Sequence, residues 1–315
     1  MKIVVLDGHT VNPDDLSWDG FNDYGELTVH PRTTPDQIID RSINADVILL
    51  NKIKMDDKIL DGLPQLKYIG LLATGYDNVD TTYARSRGIT ITNIPAYGTP
   101  SVAQHTMALL LEITNRVGLH NRSVHDLEWE RHKDFSYFKT PLIELYGKTL
   151  GVIGYGSIGK EVCRLAEAFG MNVLVHSDHA NEIAVGTLST IDDLLNSSDF
   201  VTIHAALNEK NKGLINRHQL KKMKPGAYII NTSRGAIIDE HDLADALNND
   251  IIAGAALDVL SKEPPGENHV LLHAKNCIIT PHISWVTRES RQRLMDIAVD
   301  NLRAFLSGQS ENVVN

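Results

Sequence analysis

Three charged side chains in the second half of the chain could together move a proton beside a bound anion. Arg234 closes the run Ile229-Ile-Asn-Thr-Ser-Arg234-Gly235, Glu263 lies in Asp258-Val-Leu-Ser-Lys-Glu263-Pro-Pro265, and His282 lies in Ile279-Thr-Pro-His282-Ile-Ser-Trp285. Each follows an apolar run that reads as a strand, and ligands of open α/β sheets gather at carboxyl strand ends. Arginine offers a planar, permanently charged fork that matches a carboxylate. Histidine carries a proton near neutral pH, and a glutamate can orient it. Singly, each has a plain explanation: a surface ion pair, a solvated turn residue, a loop histidine. Upstream, Thr149-Leu-Gly-Val-Ile-Gly-Tyr-Gly-Ser-Ile-Gly159 takes an apolar run into Gly154-x-Gly156-x-x-Gly159 and a helical segment, the spacing of a dinucleotide-binding turn. In such a fold an anion clamp, a charge partner and a proton carrier are the set needed for hydride transfer to or from a 2-oxo or 2-hydroxy acid.

The elements that must position these residues follow two α/β patterns. Strand-like runs at Lys2–Leu6, Asp46–Leu50, Tyr68–Leu72 and Ile89–Asn93 form the first, separated by helix-like or turn segments such as Pro35–Ile43 and Thr81–Arg87. The second has strands near 150–154, 172–176, 200–204, 227–231, 253–257 and 277–280, with helices at Ile191–Asn196, Arg217–Met223 and Glu240–Leu247. Such alternation predicts parallel sheets with helices on both faces. Ser101–Val124 reads as one long helix linking the halves, and Glu289–Leu306 as a last helix returning to the first. The expected architecture is α/β: two doubly wound parallel-sheet domains, with a Rossmann dinucleotide-binding domain (101–285) inserted in a flavodoxin-like substrate domain (1–100 and 286–315). Between them, Asn121–Tyr146 carries Trp129, Phe135, Tyr137, Phe138 and Leu142 without strand alternation, which reads as an arm covering a partner subunit in preference to a loop packed on its own domain.

Composition narrows the class. The chain has 315 residues, 42% hydrophobic and 22% charged, with a formal net charge of -10 from interspersed acids and bases. That argues against nucleic acid or anionic membrane as the main partner and leaves room for a small anionic substrate. No apolar run reaches membrane-span length, and Met1-Lys-Ile-Val-Val-Leu-Asp7 is a strand rather than a signal peptide. Cys163 and Cys277 sit in apolar patterns as free thiols, consistent with a cytoplasmic protein. His120, His125 and His132 are spaced by five and seven residues, which does not stack them on one helical face, so no metal site is expected.

Taken together, the motifs Gly154-Tyr-Gly-Ser-Ile-Gly159, Asn231-Thr-Ser-Arg-Gly235, Leu257-Asp-Val-Leu260 with Glu263-Pro264, and Pro281-His-Ile-Ser-Trp285 resemble the D-isomer-specific 2-hydroxyacid dehydrogenases over nearly the whole chain. Met1-Lys-Ile-Val-Val-Leu-Asp-Gly8, Leu71-Leu-Ala-Thr-Gly-Tyr76 and Ile279–Trp285 look most like the glycerate dehydrogenase (hydroxypyruvate reductase) branch. The resemblance implies that His282 is the acid/base, that Glu263 bonds its other ring nitrogen, and that Arg234 clamps the substrate carboxylate. Thr74 and Gly75 would bind substrate through backbone N–H groups, with Lys52 as a basic residue near it. Cofactor contacts would fall to Gly154, Gly156, Ser157 and Ile158, to Ser177, to Ala205 and Ala206, and to Thr232, Ser233 and Asp258, with Thr106 on the linking helix. NAD is the implied cofactor, and a homodimer the implied assembly.

Two departures stand out. Ser177 ends the second strand, where NAD-preferring members carry an aspartate for the adenosine ribose, so NADP stays open as an alternative. No arginine follows to hold a 2′-phosphate, however, and Asp178 would repel one. Ala205-Ala206 stands where a proline is frequent in the family, with little expected consequence. The alternatives on the same fold are a D-lactate or other 2-oxoacid reductase and a non-catalytic NAD-sensing corepressor.

Overall fold

The computed structural model describes all 315 residues. They divide into two compact units, Met1–Gly98 with Trp285–Asn315, and Thr99–Ser284.

In the first unit, strands β1 (Lys2–Val5), β2 (Glu26–Val29), β3 (Val47–Leu50), β4 (Tyr68–Leu71) and β5 (Thr90–Thr92) form one parallel sheet in the order β2-β1-β3-β4-β5. This is the flavodoxin-like order. The runs Val-Ile-Leu-Leu in β3 and Tyr-Ile-Gly-Leu in β4 are buried at every position, as strands covered on both faces must be. Alternate side chains serve opposite cores. Val4, Ile48, Leu50 and Ile69 pack against the short helices α1 (Ile38–Ser42), α2 (Asp57–Asp61) and α3 (Thr81–Ser86). Ile3, Val47, Leu49 and Tyr68 meet Leu294, Ala298 and Leu302 of the C-terminal helix, Arg288–Leu306, where the Tyr68 and Phe305 rings lie 4.8 Å apart.

The second unit opens with α4 (Thr99–Asn115) and α5 (Val117–His125) and continues through β6 (Thr149–Ile153), α6 (Ser157–Ala168), β7 (Asn172–His176) and β8 (Thr187–Leu188). Next come α7 (Ile191–Ser197), β9 (Phe200–Ile203), α8 (Arg217–Leu220), β10 (Tyr228–Asn231), α9 (Glu240–Asn248), β11 (Gly254–Leu257) and β12 (Cys277–Ile279). The seven strands are parallel, in the order β12-β11-β10-β9-β6-β7-β8. Strand order reverses between β6 and β9, which creates a crevice at their carboxyl ends. Helices α4 and α6 cover one face through Met107, Leu110, Val162 and Cys163, and α7, α8 and α9 cover the other through Leu194, Leu220 and Leu247.

The structure corrects several sequence expectations. The single helix Ser101–Val124 is two helices, because Arg116 takes a left-handed conformation (φ 49°) that interrupts the hydrogen-bond ladder. Pro35–Ile43, expected as helix-like or turn, holds both: a 3-10 turn, Pro35–Gln37, and the short α1. Strands β2 and β8 carry no strong sequence signal. The alternately exposed β2 and the two-residue β8 are edge strands, which need little apolar surface.

Candidate active site

The chemistry-bearing residues of the second unit sit on loops leaving the carboxyl ends of β10, β11 and β12. His282 directs Nδ1 at Glu263 Oε2, 2.6 Å away. A carboxylate only accepts, so the proton lies on Nδ1, and Nε2 has no protein partner. The histidine backbone is left-handed, φ 54°, an arrangement that costs a residue with a Cβ about 1–2 kcal/mol. Two bonds hold it there: the His282 N–H donates to the carbonyls of Asp258 (2.9 Å) and Thr280 (3.0 Å).

Arg234 is half-buried just past β10, in a turn built by the fully buried Asn231. Asn231 Nδ2 donates to the Arg234 carbonyl at 2.9 Å, and its Oδ1 accepts the Ser233 N–H at 3.0 Å. The guanidinium makes one bond, to the Ser233 carbonyl (2.9 Å), and no ion pair. The surface-ion-pair explanation of this arginine therefore fails. A half-buried guanidinium without a carboxylate partner has donors left for an anion.

At the β6–β9 switch point, Gly154 has φ 100°, and a Cβ there would lie 2.6 Å from the Ala205 nitrogen and the His204 carbonyl carbon, so only glycine fits. A Cβ on Gly156 would meet nothing within 4 Å, so the protein's own packing does not require that glycine. A pyrophosphate brought against the backbone does require it. Helix α6 begins there with no side-chain cap, leaving the N–H groups of Ser157 and Ile158 for phosphate oxygens. These residues fit a dinucleotide. Around them, Ser233 Oγ donates to the Ala205 carbonyl, and the Ala206 carbonyl accepts Asn211 Nδ2 at 2.7 Å. Thr106 Oγ1 gives its proton to the Val102 carbonyl (2.9 Å), so Thr232 is the donor in their 3.1 Å contact. Thr106 is buried, and its hydroxyl touches the Thr232 side chain. Ser177 Oγ accepts the N–H groups of His179 (3.3 Å) and Ala180 (3.2 Å), which makes it the closure of its own loop.

In the first unit, burial raises the Asp7 carboxyl above its ordinary value despite its amide donors. Asp7 accepts the N–H of Asn51 at 2.8 Å and of Lys52 at 2.6 Å, and so shapes the loop carrying Lys52. Thr74 Oγ1 donates to the Ile94 carbonyl (2.7 Å), while the backbone N–H groups of Thr74 and Gly75 have no protein acceptor.

The family model for the NAD binding domain of D-isomer specific 2-hydroxyacid dehydrogenases matches residues 107–284, more than half the chain. The chain belongs to this family. It is 47% identical to a hydroxypyruvate reductase of Blautia hydrogenotrophica, with 100% of each chain covered. It is 37% identical to a glycerate dehydrogenase of Methylorubrum extorquens, over 99% of this chain and 98% of that one. Among solved structures, the TT0316 protein of Thermus thermophilus superposes with a TM-score of 0.89 at 32% identity, with 100% of each chain covered.

For a dehydrogenase of this family, the sequence understated Asp258. Its carboxylate is buried and accepts Thr280 Oγ1 (2.6 Å) and the N–H groups of Ile283 and Ser284 (both 2.9 Å). His105 of α4 donates to Thr280 at 3.1 Å and stands 3.5 Å from the same carboxylate. Asp258 therefore braces the loop on both sides of His282, a role invisible in sequence because its partners lie more than 20 residues away. Burial raises the Asp258 carboxyl, but its bonds to His105, Thr280, Ile283 and Ser284 outweigh burial and hold it down to about 2.

The folded value lies below the unfolded one, near 3.9. The stabilisation is therefore complete above about pH 4 and is lost as pH falls through the folded value. Asp258→Asn is expected to destabilise the protein by about 2 kcal/mol at pH 7, with the difference shrinking between pH 4 and pH 2. Urea unfolding of parent and variant across that range measures it, and a pH-independent difference would refute the charge argument. A second overlooked residue is His204, at the end of β9. Burial pushes its imidazole down to about 3, so it stays neutral beside the Thr202 hydroxyl, 3.0 Å away.

Proposed function

We propose that this enzyme interconverts hydroxypyruvate and D-glycerate with NAD as the preferred cofactor. The observation that carries the reading is the Glu263–His282 pair, a proton carrier whose outer nitrogen is uncommitted. It stands on the same unit as an arginine with no carboxylate partner. The hydroxypyruvate reductase and glycerate dehydrogenase relatives support the choice of substrate.

In reduction, Arg234 holds the substrate carboxylate. The nicotinamide, when bound, supplies the hydride that adds to the carbonyl carbon. The C=O π electrons pass to oxygen, which takes the proton from His282 Nε2. The imidazole left behind is neutral and keeps its Nδ1 proton, directed at Glu263. Oxidation runs the same path backwards, with His282 as base. Thr74, Gly75 and Lys52 are the substrate-binding groups of the first unit in this reading.

NAD is favoured because residues 177–190 contain no lysine or arginine to meet a 2′-phosphate, whereas Asp178 and Glu182 would oppose one. The experiment follows oxidation of NADH and NADPH with hydroxypyruvate, glyoxylate and pyruvate in turn. The highest kcat/KM is expected for hydroxypyruvate with NADH. A preference for pyruvate would overturn the substrate, and a preference for NADPH the cofactor.

No helix is long and apolar enough to cross a membrane. Burial pushes both thiols, Cys163 and Cys277, up to about 12, leaving them in the inert thiol form. These features suit a cytoplasmic enzyme. We further propose a homodimer. The segment Asn121–Tyr146 exposes Phe135 (90%), Tyr146 (77%) and Phe138 (72%), and is ordered by its own bonds, Ser123 to Tyr137 (2.7 Å) and Lys139 to Glu128 (2.6 Å). So much exposed aromatic surface on a self-braced segment favours a protein interface. Sedimentation equilibrium should give twice the chain mass of 34.9 kDa, and a monomer at micromolar concentration would refute the dimer.

A further inference from the structure

Glu263 rides on an awkward piece of chain. Residues 261–268 are exposed and belong to no helix or strand, yet they must hold a carboxylate 2.6 Å from His282 Nδ1. Both ends of this segment are tied to one side chain elsewhere in the second unit. Glu240, the first residue of α9, accepts the Ser261 N–H at 2.7 Å through Oε1. Its Oε2 accepts the Ser261 hydroxyl and His269 Nε2, the latter at 3.2 Å. The Glu240 and His269 side chains are 11% and 13% exposed, so water competes little for the bond between them, while the Ser261 side of the clip faces solvent. The histidine tautomer is consistent: Nε2 donates to Glu240, and Nδ1 accepts the Leu271 N–H at 3.4 Å. Capping of α9 falls to Asp239, whose side chain takes the His241 and Asp242 N–H groups, leaving Glu240 for the loop.

The path from this clip to the proton carrier is short. Ser261 follows Leu260, whose N–H donates to Glu263 Oε1 at 2.9 Å, while Oε2 faces His282. The same peptide supports the arginine. A Cβ on Gly235, next to Arg234, would lie 2.0 Å from the Leu260 carbonyl carbon, so the turn after β10 rests directly on the loop's first residues.

We propose that Glu240 is a positioning residue of the reaction: by clipping Ser261 and His269 it holds Glu263 against His282. The inference rests on the acid/base reading of that pair. A carboxylate displaced by even 1 Å leaves the imidazole unoriented, and misplacements of that size cost up to about 100-fold in rate. Glu240→Ala should lower kcat for reduction about tenfold while NADH affinity, read by nucleotide fluorescence, stays near the parent's. Glu240→Gln keeps an acceptor for the Ser261 N–H and should recover most of kcat.

The deciding measurement is a double-mutant cycle with Glu263→Gln. Once Glu263 no longer acts on His282, Glu240→Ala should change kcat by less than about twofold. An equal loss in both backgrounds, or no loss in the parent, overturns the proposal. Should Glu240→Ala not fold, Ser261→Ala, which removes a single bond of the clip, takes its place in the same cycle with a loss of about threefold expected, judged by the same outcomes. Failure of the underlying reading is separate: it would appear as Glu263→Gln alone leaving kcat unchanged.

Discussion

Replacing His282 with alanine lowers kcat for hydroxypyruvate reduction by about 100-fold or more, the loss typical of a removed general acid. Nucleotide binding stays near the parent's, because nothing at the glycine turn depends on the imidazole. The size of the effect follows from how this histidine is held. Nδ1 is committed to Glu263 at 2.6 Å, so proton delivery falls to Nε2. The left-handed backbone at φ 54° is kept in place by the Asp258 and Thr280 carbonyls and by Asp258's carboxylate on Ile283 and Ser284. A ring aimed by its main chain is pre-organised, and solvent cannot restore that geometry once it is gone. Single-turnover rates with NADH make the comparison, and a parent-like rate would mean that the proton comes from another group.

Arg234→Lys raises KM for hydroxypyruvate by about 10- to 100-fold, with a smaller change in kcat. The range corresponds to the roughly 1.5–3 kcal/mol of a hydrogen bond to a charged group. Lysine keeps the charge but loses the planar fork, and its ammonium is more strongly hydrated. The guanidinium spends one bond on the Ser233 carbonyl, at 2.9 Å, and its remaining donors are free for a carboxylate. The turn that positions it is set by the buried Asn231 and by Gly235, neither of which changes in the variant, so the lost contact is isolated. Steady-state kinetics at saturating NADH measure the effect, and an unaltered KM would show that the carboxylate is held elsewhere.

The two effects bear differently on how much of the site could be read in advance. His282, Glu263 and Arg234 stood out because each follows a buried strand, and residue type at a strand end is local information. The glycine turn was equally legible: its three positions span six residues, and each lacks a Cβ for a local reason, a positive φ at Gly154, ligand approach at Gly156 and close packing on the Gly154 carbonyl at Gly159. Asp258 was legible as a position but not as a brace, since its partners Thr280 and Ser284 come from a different strand end. Glu240 carried no signal at all. An acidic residue in a first helical turn is ordinary helix chemistry, and only the fold sets Ser261 and His269 against it. Ser177 shows a role that its strand-end position does not: its Oγ accepts the His179 and Ala180 N–H groups and closes its own loop.

From sequence alone come the two parallel sheets, the dinucleotide turn on β6, three candidate residues for the chemistry and, by resemblance of the motifs taken together, the family. The sheets and the turn rest on periodicity and turn chemistry within a few tens of residues. Tertiary structure decided where the main helix breaks, at Arg116, and which edges gain the short strands β2 and β8. It also decided which carboxylate faces which partner: Glu263 on His282, Asp258 on the Ile283–Ser284 amides, Glu240 on Ser261. The physical reason is the range of the forces involved. Backbone propensity and apolar periodicity act between near neighbours along the chain. A hydrogen bond reaches only about 3 Å, so its partner is unknown until packing has brought distant segments together.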